Sequence, residues 1–373
     1  MIYLDNAATT YPKPRAVKRA VADCIERIGG NPGRGAHALS LLAAETVYDA
    51  RCEVAGFLGI PNPSSIVFTP NATLALNLAI YTRVRRGDHI LISDLEHNAV
   101  LRPVARLQKE GIASYSIFSG EGDVLKNLRE SETKSTTILV CNPVSNVTGD
   151  LLPIKEIAAY SRTRGYYLIV DGSQWIGHGT PDREVINLAD AIAVPGHKAL
   201  YGIMGSGFLY LKNARDLSPF LCGGSGSESA NPNMPSFLPD RYEAGTLSTP
   251  AIASLTAGIK FLRERDPDLI AERERLLVRY ARDRLSDIPG VTVYGNENAA
   301  SSVLSFREDN VSPEETARRL DAEGIAVRAG LHCAPLIHRR LGTFPEGTVR
   351  VSFGAFNTAN DVDCLLSVLS KSS

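Results

Sequence analysis

Between residues 65 and 212 the chain reads as short β-branched runs separated by longer amphipathic stretches: SIVFT, HILIS, TTILVCN, YYLIVDG, DAIAVPG and GFLYL. Strands in that rhythm are joined by helical crossovers, which makes them neighbours in a parallel sheet. Their nearly unbroken apolar character fits a sheet covered by helices on both faces, since a half-solvated sheet would alternate. Open sheets of this kind bind ligands beyond the carboxyl ends of their strands, so the polar residues that close each run are where chemistry is expected.

Residues 222–249, CGGSGSESANPNMPSFLPDRYEAGTLST, carry no helical or strand period, and a loop of that length in a compact protein is commonly functional. The tract PAIASLTAGIKFLRERDP, continuing through AERERLLVRYARDRLSD, has helical spacing. Beyond it VTVYG, SVLSFRE, PEETARRLDAEG, IAVRAG, VRVSFGA and NDVDCLLSVLSK compose a small α+β unit. With 373 residues, 44% of them hydrophobic, the chain can fill two cores. We expect a large α/β unit over residues 15–249 and a smaller α+β unit built from residues 1–14 and 250–373.

The net charge of −1, from 40 basic and 41 acidic residues, gives no field that would recruit nucleic acid or an anionic membrane, which leaves small molecules as the expected partners. The opening MIYLDNAATTYPKP has neither a basic nor an apolar run, so no leader is expected and a cytoplasmic location follows. No stretch approaches the roughly 18 apolar residues of a membrane span. The six cysteines, Cys24, Cys52, Cys141, Cys222, Cys333 and Cys364, form no C-x-x-C pair. Neither a disulfide framework nor a metal site is expected, because these spacings, GLHCAPLIH and His37 included, match no zinc pattern. Most cysteines read as small buried apolar side chains. Cys333 differs: it follows His332 and lies near Gly330 in a mobile-looking segment, a setting that favours exposure and thiolate character.

Asp171 closes YYLIVDG, and Lys198 follows the next run, DAIAVPGHK. Adjacent strands lie about 5 Å apart, so the two side chains can meet at one sheet edge. Such a pair alone is usually a structural ion pair. The functional reading is that Lys198 forms an imine with an aldehyde cofactor while Asp171 meets the cofactor's pyridine nitrogen and Gln174 its phenolate oxygen. FTPNATLALN turns a strand into a helix, where the amides of Ala72 and Thr73 could cradle a phosphate, although N-A-T is by itself only a good helix cap. His197 and Thr246 are further phosphate candidates. His97, after HILIS, could lie over a planar ring.

Taken together, the motifs resemble those of class V, fold-type I, pyridoxal-5′-phosphate enzymes, and most closely the cysteine desulfurase and selenocysteine lyase family. The matching stretches are YLDNAATT, RGAHALS, TPNATLALN, LEHNAV, SNVTG, VDGSQ, PGHKALYG, GGSGSES, DRYEAGT, VRAGLHCAP and VRVSFGAFNT, in the family's order and across almost the whole chain. The resemblance implies an α/β fold with a mostly parallel seven-stranded sheet, helices on both faces, and pyridoxal 5′-phosphate as cofactor. It makes Lys198 the Schiff-base lysine and Asp171 the partner of the pyridine nitrogen. His97 stacks on the ring, Asn146 and Gln174 approach its phenolate oxygen, and Thr73 and His197 bind phosphate. The position of Thr246 reaches the partner subunit's phosphate in the family, which implies a homodimer with composite sites. Arg350, with Asn146, clamps the substrate carboxylate, and Cys333 accepts sulfur. Pro195 stands where the family usually places a hydroxyl, Ile203 where proline is common, and Leu74 where an acid is common.

The implied reaction converts L-cysteine to L-alanine. Lys198 moves the Cα proton, with His97 at the ring, and Cys333 retains the sulfur as a persulfide for a sulfur-acceptor protein or a reductant. Selenocysteine lysis, transamination and another β-elimination are the alternatives within the class. A non-catalytic sulfur scaffold is the alternative outside it.

Overall fold

The computed structural model describes residues 1–33, 35–213, 217–296 and 301–370. Strand β1 (Ile2–Tyr3) is followed by the seven strands of the main sheet: β2 (Ile66–Thr69), β3 (His89–Ser93), β4 (Ser114–Phe118), β5 (Thr136–Cys141), β6 (Tyr167–Asp171), β7 (Ala191–Pro195) and β8 (Gly207–Leu211). Their order is β2-β8-β7-β6-β5-β3-β4, and every pairing is parallel except those that β8 makes with β2 and β7. The expected mostly parallel seven-stranded sheet is therefore present. Successive side chains along a strand go to opposite faces, and here both faces are buried. Leu139, Cys141, Leu168 and Val170 pack into one core, while Ile138, Val140 and Ile169 pack into the other.

A second sheet of order β12-β13-β10-β9 uses β9 (Val291–Tyr294), β10 (Val303–Glu308), β12 (Arg328–Gly330) and β13 (Thr348–Ser352) in antiparallel pairs, and β11 (Ile325–Ala326) pairs in parallel with β1. Leu304, Phe306, Val349 and Val351 from this sheet share a third core with Leu4 and with helices Pro267–Ser286 and Ala359–Leu369.

The structure departs from the sequence reading in four places. Strand β4 was not among the expected runs. Its alternating serines and part-exposed residues are those of an edge strand, which carries a weaker apolar signal. The helical tract after residue 249 breaks at Asp266, whose φ is 61°, immediately before Pro267, because a pre-proline residue is disfavoured in the α region. Its first half, Thr249–Glu264, packs into a core of the main sheet through Ile252, Leu255 and Ile259. Finally, Cys222 is exposed in the long loop, whereas Cys24 and Cys141 are buried as expected and Cys52 and Cys364 are partly covered.

Candidate active site

The carboxyl ends of the parallel strands open into a cleft of about 190 Å3 lined by Ala72, Thr73, His97, Asn146, Asp171, Gln174, Pro195, His197, Lys198, Arg328, His332 and Arg350. All of the expected cofactor and substrate residues except Thr246 meet there. Thr246 is exposed and lines neighbouring clefts with Glu243.

Asp171 ends β6 and is buried, its Oδ1 accepting from the Ser173 amide at 3.0 Å and from the Ser173 hydroxyl. Lys198 stands three residues beyond β7, the strand paired with β6. Gly196 is required in that turn, since a Cβ there would lie 2.3 Å from Ser206 Oγ. The N-terminal segment clasps the turn: His197 O accepts from Thr9 Oγ1 at 3.0 Å and Lys13 Nζ at 2.7 Å, and Lys198 O accepts from Thr10 Oγ1 at 3.0 Å. Desolvation lowers the Lys198 pKa to about 8, with Arg350 and Arg328 acting in the same direction and Asp171 opposing them. A large fraction of this amine is thus neutral and nucleophilic in mildly alkaline solution.

His97 caps helix Asn98–Lys109, its Nδ1 accepting from the Ala99 amide at 3.0 Å, so in the neutral ring the proton sits on Nε2. Burial lowers its pKa to about 4 and keeps the ring uncharged. At the opposite wall, helix Ala72–Arg83 begins at Asn71, whose side chain takes the Leu74 amide at 2.9 Å. The amides of Ala72 and Thr73 have no partner among the described residues, as befits the first turn of a helix. His197 Nδ1 is buried without a partner, and desolvation, followed by the charges of Lys198 and Lys13, lowers its pKa to about 4.

Arg350, in β13, is 2% exposed. Its Nη2 donates to Asp5 Oδ1 at 2.7 Å and its Nη1 to Asn146 O at 2.9 Å, while its buried Nε has no partner. Asn146 Nδ2 donates to His332 O at 2.8 Å, leaving the buried Oδ1 unpartnered, and Gln174 Nε2 donates to Ala7 O at 3.0 Å.

Cys333 is exposed, as expected, but its turn is not loose. Both His332 and Cys333 have left-handed backbone, with φ of 48° and 58°, a conformation that costs side-chain-bearing residues energy and persists only where surroundings impose it. Asn98 N donates to Cys333 O at 2.7 Å, and Ala334 is fully buried. His332 Nε2 lies 3.1 Å from Thr348 O, an acceptor only, so Nε2 carries the proton and the buried Nδ1 presents an unpartnered lone pair.

Three contributors were missed by sequence reasoning. Arg328 lines the cleft, Lys13 grips the lysine turn, and Glu96 lies fully buried beside the strand ends, where it accepts from Ser93 Oγ at 2.6 Å and the Asn142 amide at 2.8 Å. Lys13 and Arg328 fall inside stretches recognisable by sequence, but nothing in their spacing distinguishes them from solvated charges.

A "Probable cysteine desulfurase" of Halalkalibacterium halodurans is 35% identical over 382 residues, an alignment covering 100% of this chain and 93% of the relative. Among solved structures, an apo cysteine desulfurase from Thermococcus onnurineus NA1 superposes with a TM-score of 0.90 at 29% identity, covering 99% of this chain and 94% of that one. A cysteine desulfurase from Escherichia coli gives 0.88 at 30% identity, with the same coverage. The aminotransferase class-V family matches residues 2–365, and a match of that extent, over a sheet-edge cleft assembled from a buried acid, a desolvated lysine and an uncharged histidine, shows that the chain belongs to that family.

Proposed function

We propose that the protein is a pyridoxal-5′-phosphate-dependent cysteine desulfurase that converts L-cysteine to L-alanine and holds the sulfur as a persulfide on Cys333. The observation that carries this reading is a set of unanswered polar groups around the cleft: buried Asn146 Oδ1, His197 Nδ1 and Arg350 Nε, with the free amides of Ala72 and Thr73. Buried polar atoms are rarely left without partners; the free amides, His197 Nδ1 and Arg350 Nε can donate to a ligand's anionic groups, and Asn146 Oδ1 can accept from its amine. When bound, pyridoxal 5′-phosphate supplies an electrophilic carbon for an amine and a ring that draws electrons from the substrate Cα.

This chain's residues divide the remaining work. Ala72, Thr73 and His197 would hold the phosphate, Asp171 would meet the pyridine nitrogen, Asn146 and Gln174 would approach the phenolate oxygen, and uncharged His97 would lie against the ring. Lys198 would hold the cofactor, and its Nζ would carry the Cα proton. Arg350 and Asn146 orient the substrate carboxylate. Cys333 Sγ attacks the substrate Sγ; the new S–S bond forms as the substrate Cβ–Sγ bond breaks, its electron pair stays with the three-carbon fragment, and that fragment takes a proton at Cβ and the one held on Lys198 at Cα to leave as alanine. The hydroxyl that Pro195 lacks is not replaced by Ser206, whose Oγ donates to Ile203 O at 2.6 Å.

The same reading has a cofactor-holding unit at residues 15–249 and a smaller unit at 1–14 and 250–373, with helix Thr249–Glu264 applied to the larger core. Exposed Thr246, outside its own cleft, serves the partner subunit in a homodimer. A cytoplasmic setting keeps Cys333 reduced until sulfur passes to an acceptor protein. No described helix is long and apolar enough to cross a membrane.

Purified holoprotein should show a visible cofactor band that borohydride fixes at Lys198, and should release alanine and sulfide from L-cysteine in the presence of a reductant. Cys333→Ser should keep the band and lose alanine release by about 100-fold or more, as expected when a nucleophile is removed. Undiminished turnover in Cys333→Ser would remove the thiol from the mechanism, and a colourless protein that gains no band with added cofactor would remove the whole reading.

A further inference from the structure

The exits of β3 and β5 are fastened together by a single carboxyl oxygen. These strands are neighbours in the main sheet, with Ile92 opposite Val140, and the turns that leave them carry His97 and Asn146 to the cleft. Glu96 Oε1 accepts from the hydroxyl of Ser93, the last residue of β3, at 2.6 Å and from the amide of Asn142, the first beyond β5, at 2.8 Å. The side chain is fully buried, and its other oxygen, Oε2, has no partner among the described residues. The charged groups that face it are acids. Asp94, in the same turn, is taken by Arg340 at 2.7 Å, so that guanidinium answers Asp94 and not Glu96. Asp171 ends β6, on the other side of β5, and Cys141 closes β5 with a thiol that burial, Glu96 and Asp171 all push upward. The next residue, His97, is uncharged. A carboxyl group sealed from water beside a second carboxylate keeps its proton. Among the described residues lining the cleft, Asp171 is the one acid.

We propose that Glu96 is a positioning residue for the ring end of the cofactor: Oε1 fixes the turns that present His97 and Asn146, and the proton on Oε2 leaves Asp171 as the sole negative charge behind the ring nitrogen. The inference rests on the cofactor reading above and adds to it a residue that does not line the cleft. It places a proton equilibrium next to the reacting groups. Releasing the Oε2 proton puts a second negative charge beside Asp171, and a negative charge makes neighbouring protons harder to remove. Lys198 with its bound cofactor therefore holds its proton to higher pH when Glu96 is ionised than when Glu96 is neutral. Two groups linked in this way titrate together over a broadened range.

The test follows the cofactor's visible band in holoprotein without substrate, from about pH 6 to about pH 10. The wild-type band should change over a range wider than a one-proton curve. Glu96→Gln keeps an acceptor for Ser93 and Asn142 but cannot ionise; it should follow a one-proton curve with its midpoint lower by about one pH unit, the effect of a charge several ångströms away at an effective dielectric of about 20. Ser93→Ala removes a hydrogen bond that favours the ionised carboxylate, so its profile should move toward that of Glu96→Gln, an independent reading if the glutamine variant misfolds. Release of pyridoxal 5′-phosphate on dilution near neutral pH reads the fastening. Glu96→Gln should hold the cofactor within about twofold of wild type, and Glu96→Ala, which cuts both bonds, about tenfold less tightly. The proposal is overturned if the Glu96→Gln profile superimposes on that of wild type, or if Glu96→Ala holds the cofactor as tightly as wild type. A wild-type protein with no visible band overturns the cofactor reading itself, an outcome distinct from a coloured wild type whose profile Glu96→Gln leaves unchanged.

Discussion

Glu96 is a carboxyl group sealed under the strand ends with no ion-pair partner among the described residues. Its Oε1 accepts from Ser93 and Asn142, its Oε2 has no partner, and desolvation, helped by the charges of Asp171 and Asp94, raises its pKa to about 8. The folded chain therefore keeps this proton up to about pH 8, whereas the unfolded chain releases it at the ordinary 4.5. Between those values the native state binds more protons, so the contribution is complete below the lower value and is lost as pH rises through the upper one. Glu96→Gln, which keeps an acceptor oxygen and cannot ionise, should match wild type at about pH 4 and gain steadily above it, approaching about 5 kcal/mol by about pH 9. Melting curves that stay parallel across that range would contradict a neutral Glu96. Lys198 and Asp171 were legible in the sequence because each closes or follows an apolar run that announces a strand. Glu96 was not, since an acid between Leu95 and His97 looks solvated until the turn buries it. Arg328 escaped for a different reason: its meaning comes from register with Arg350, a relation across strands that the linear sequence does not display.

At the level of elements, the long loop after β8 is anchored by one buried ion pair. Arg51, in helix Ala38–Leu58, donates through Nη1 and Nη2 to the Glu243 carboxylate at 2.8 and 2.9 Å, and the Phe68 amide in β2 donates to Glu243 Oε1 at 2.6 Å. Thr246 follows three residues later, so the pair sets where that hydroxyl stands. Glu243→Ala leaves the Arg51 charge buried and unanswered and should cost about 3–5 kcal/mol by denaturant unfolding. Arg51→Met combined with Glu243→Leu should cost markedly less, because no lone charge remains; equal losses would mean that the pair's charge is not what matters. The main-sheet strands were readable because both of their faces are buried, which gives continuous apolar runs. The edge strand β4, the break at Asp266 and the pinned turn at Cys333 depend on tertiary packing and left-handed backbone, which leave only faint marks in residue order.

For the whole molecule, composite sites make a stoichiometric prediction. If Thr246 serves the partner, Lys198→Ala and Thr246→Ala place their defects in different chains of a mixed dimer, one site collecting both and the other none. Co-refolding equal amounts should restore roughly a quarter of wild-type activity from two impaired parents, given random pairing in a twofold-symmetric dimer. Activity no greater than the average of the parents would assign Thr246 to its own subunit. The order of segments along the chain carries another consequence. The segment that clasps the lysine turn precedes the main sheet in the chain, while the strand it pairs with, β11, and its ionic partner, Arg350, follow that sheet. On a ribosome, the main sheet can assemble well before those late segments emerge, leaving the clasp without its anchors. Completion of the cleft is thereby deferred until those segments have been made, so a chain stalled or released before them would have the lysine but lack the enclosure around it.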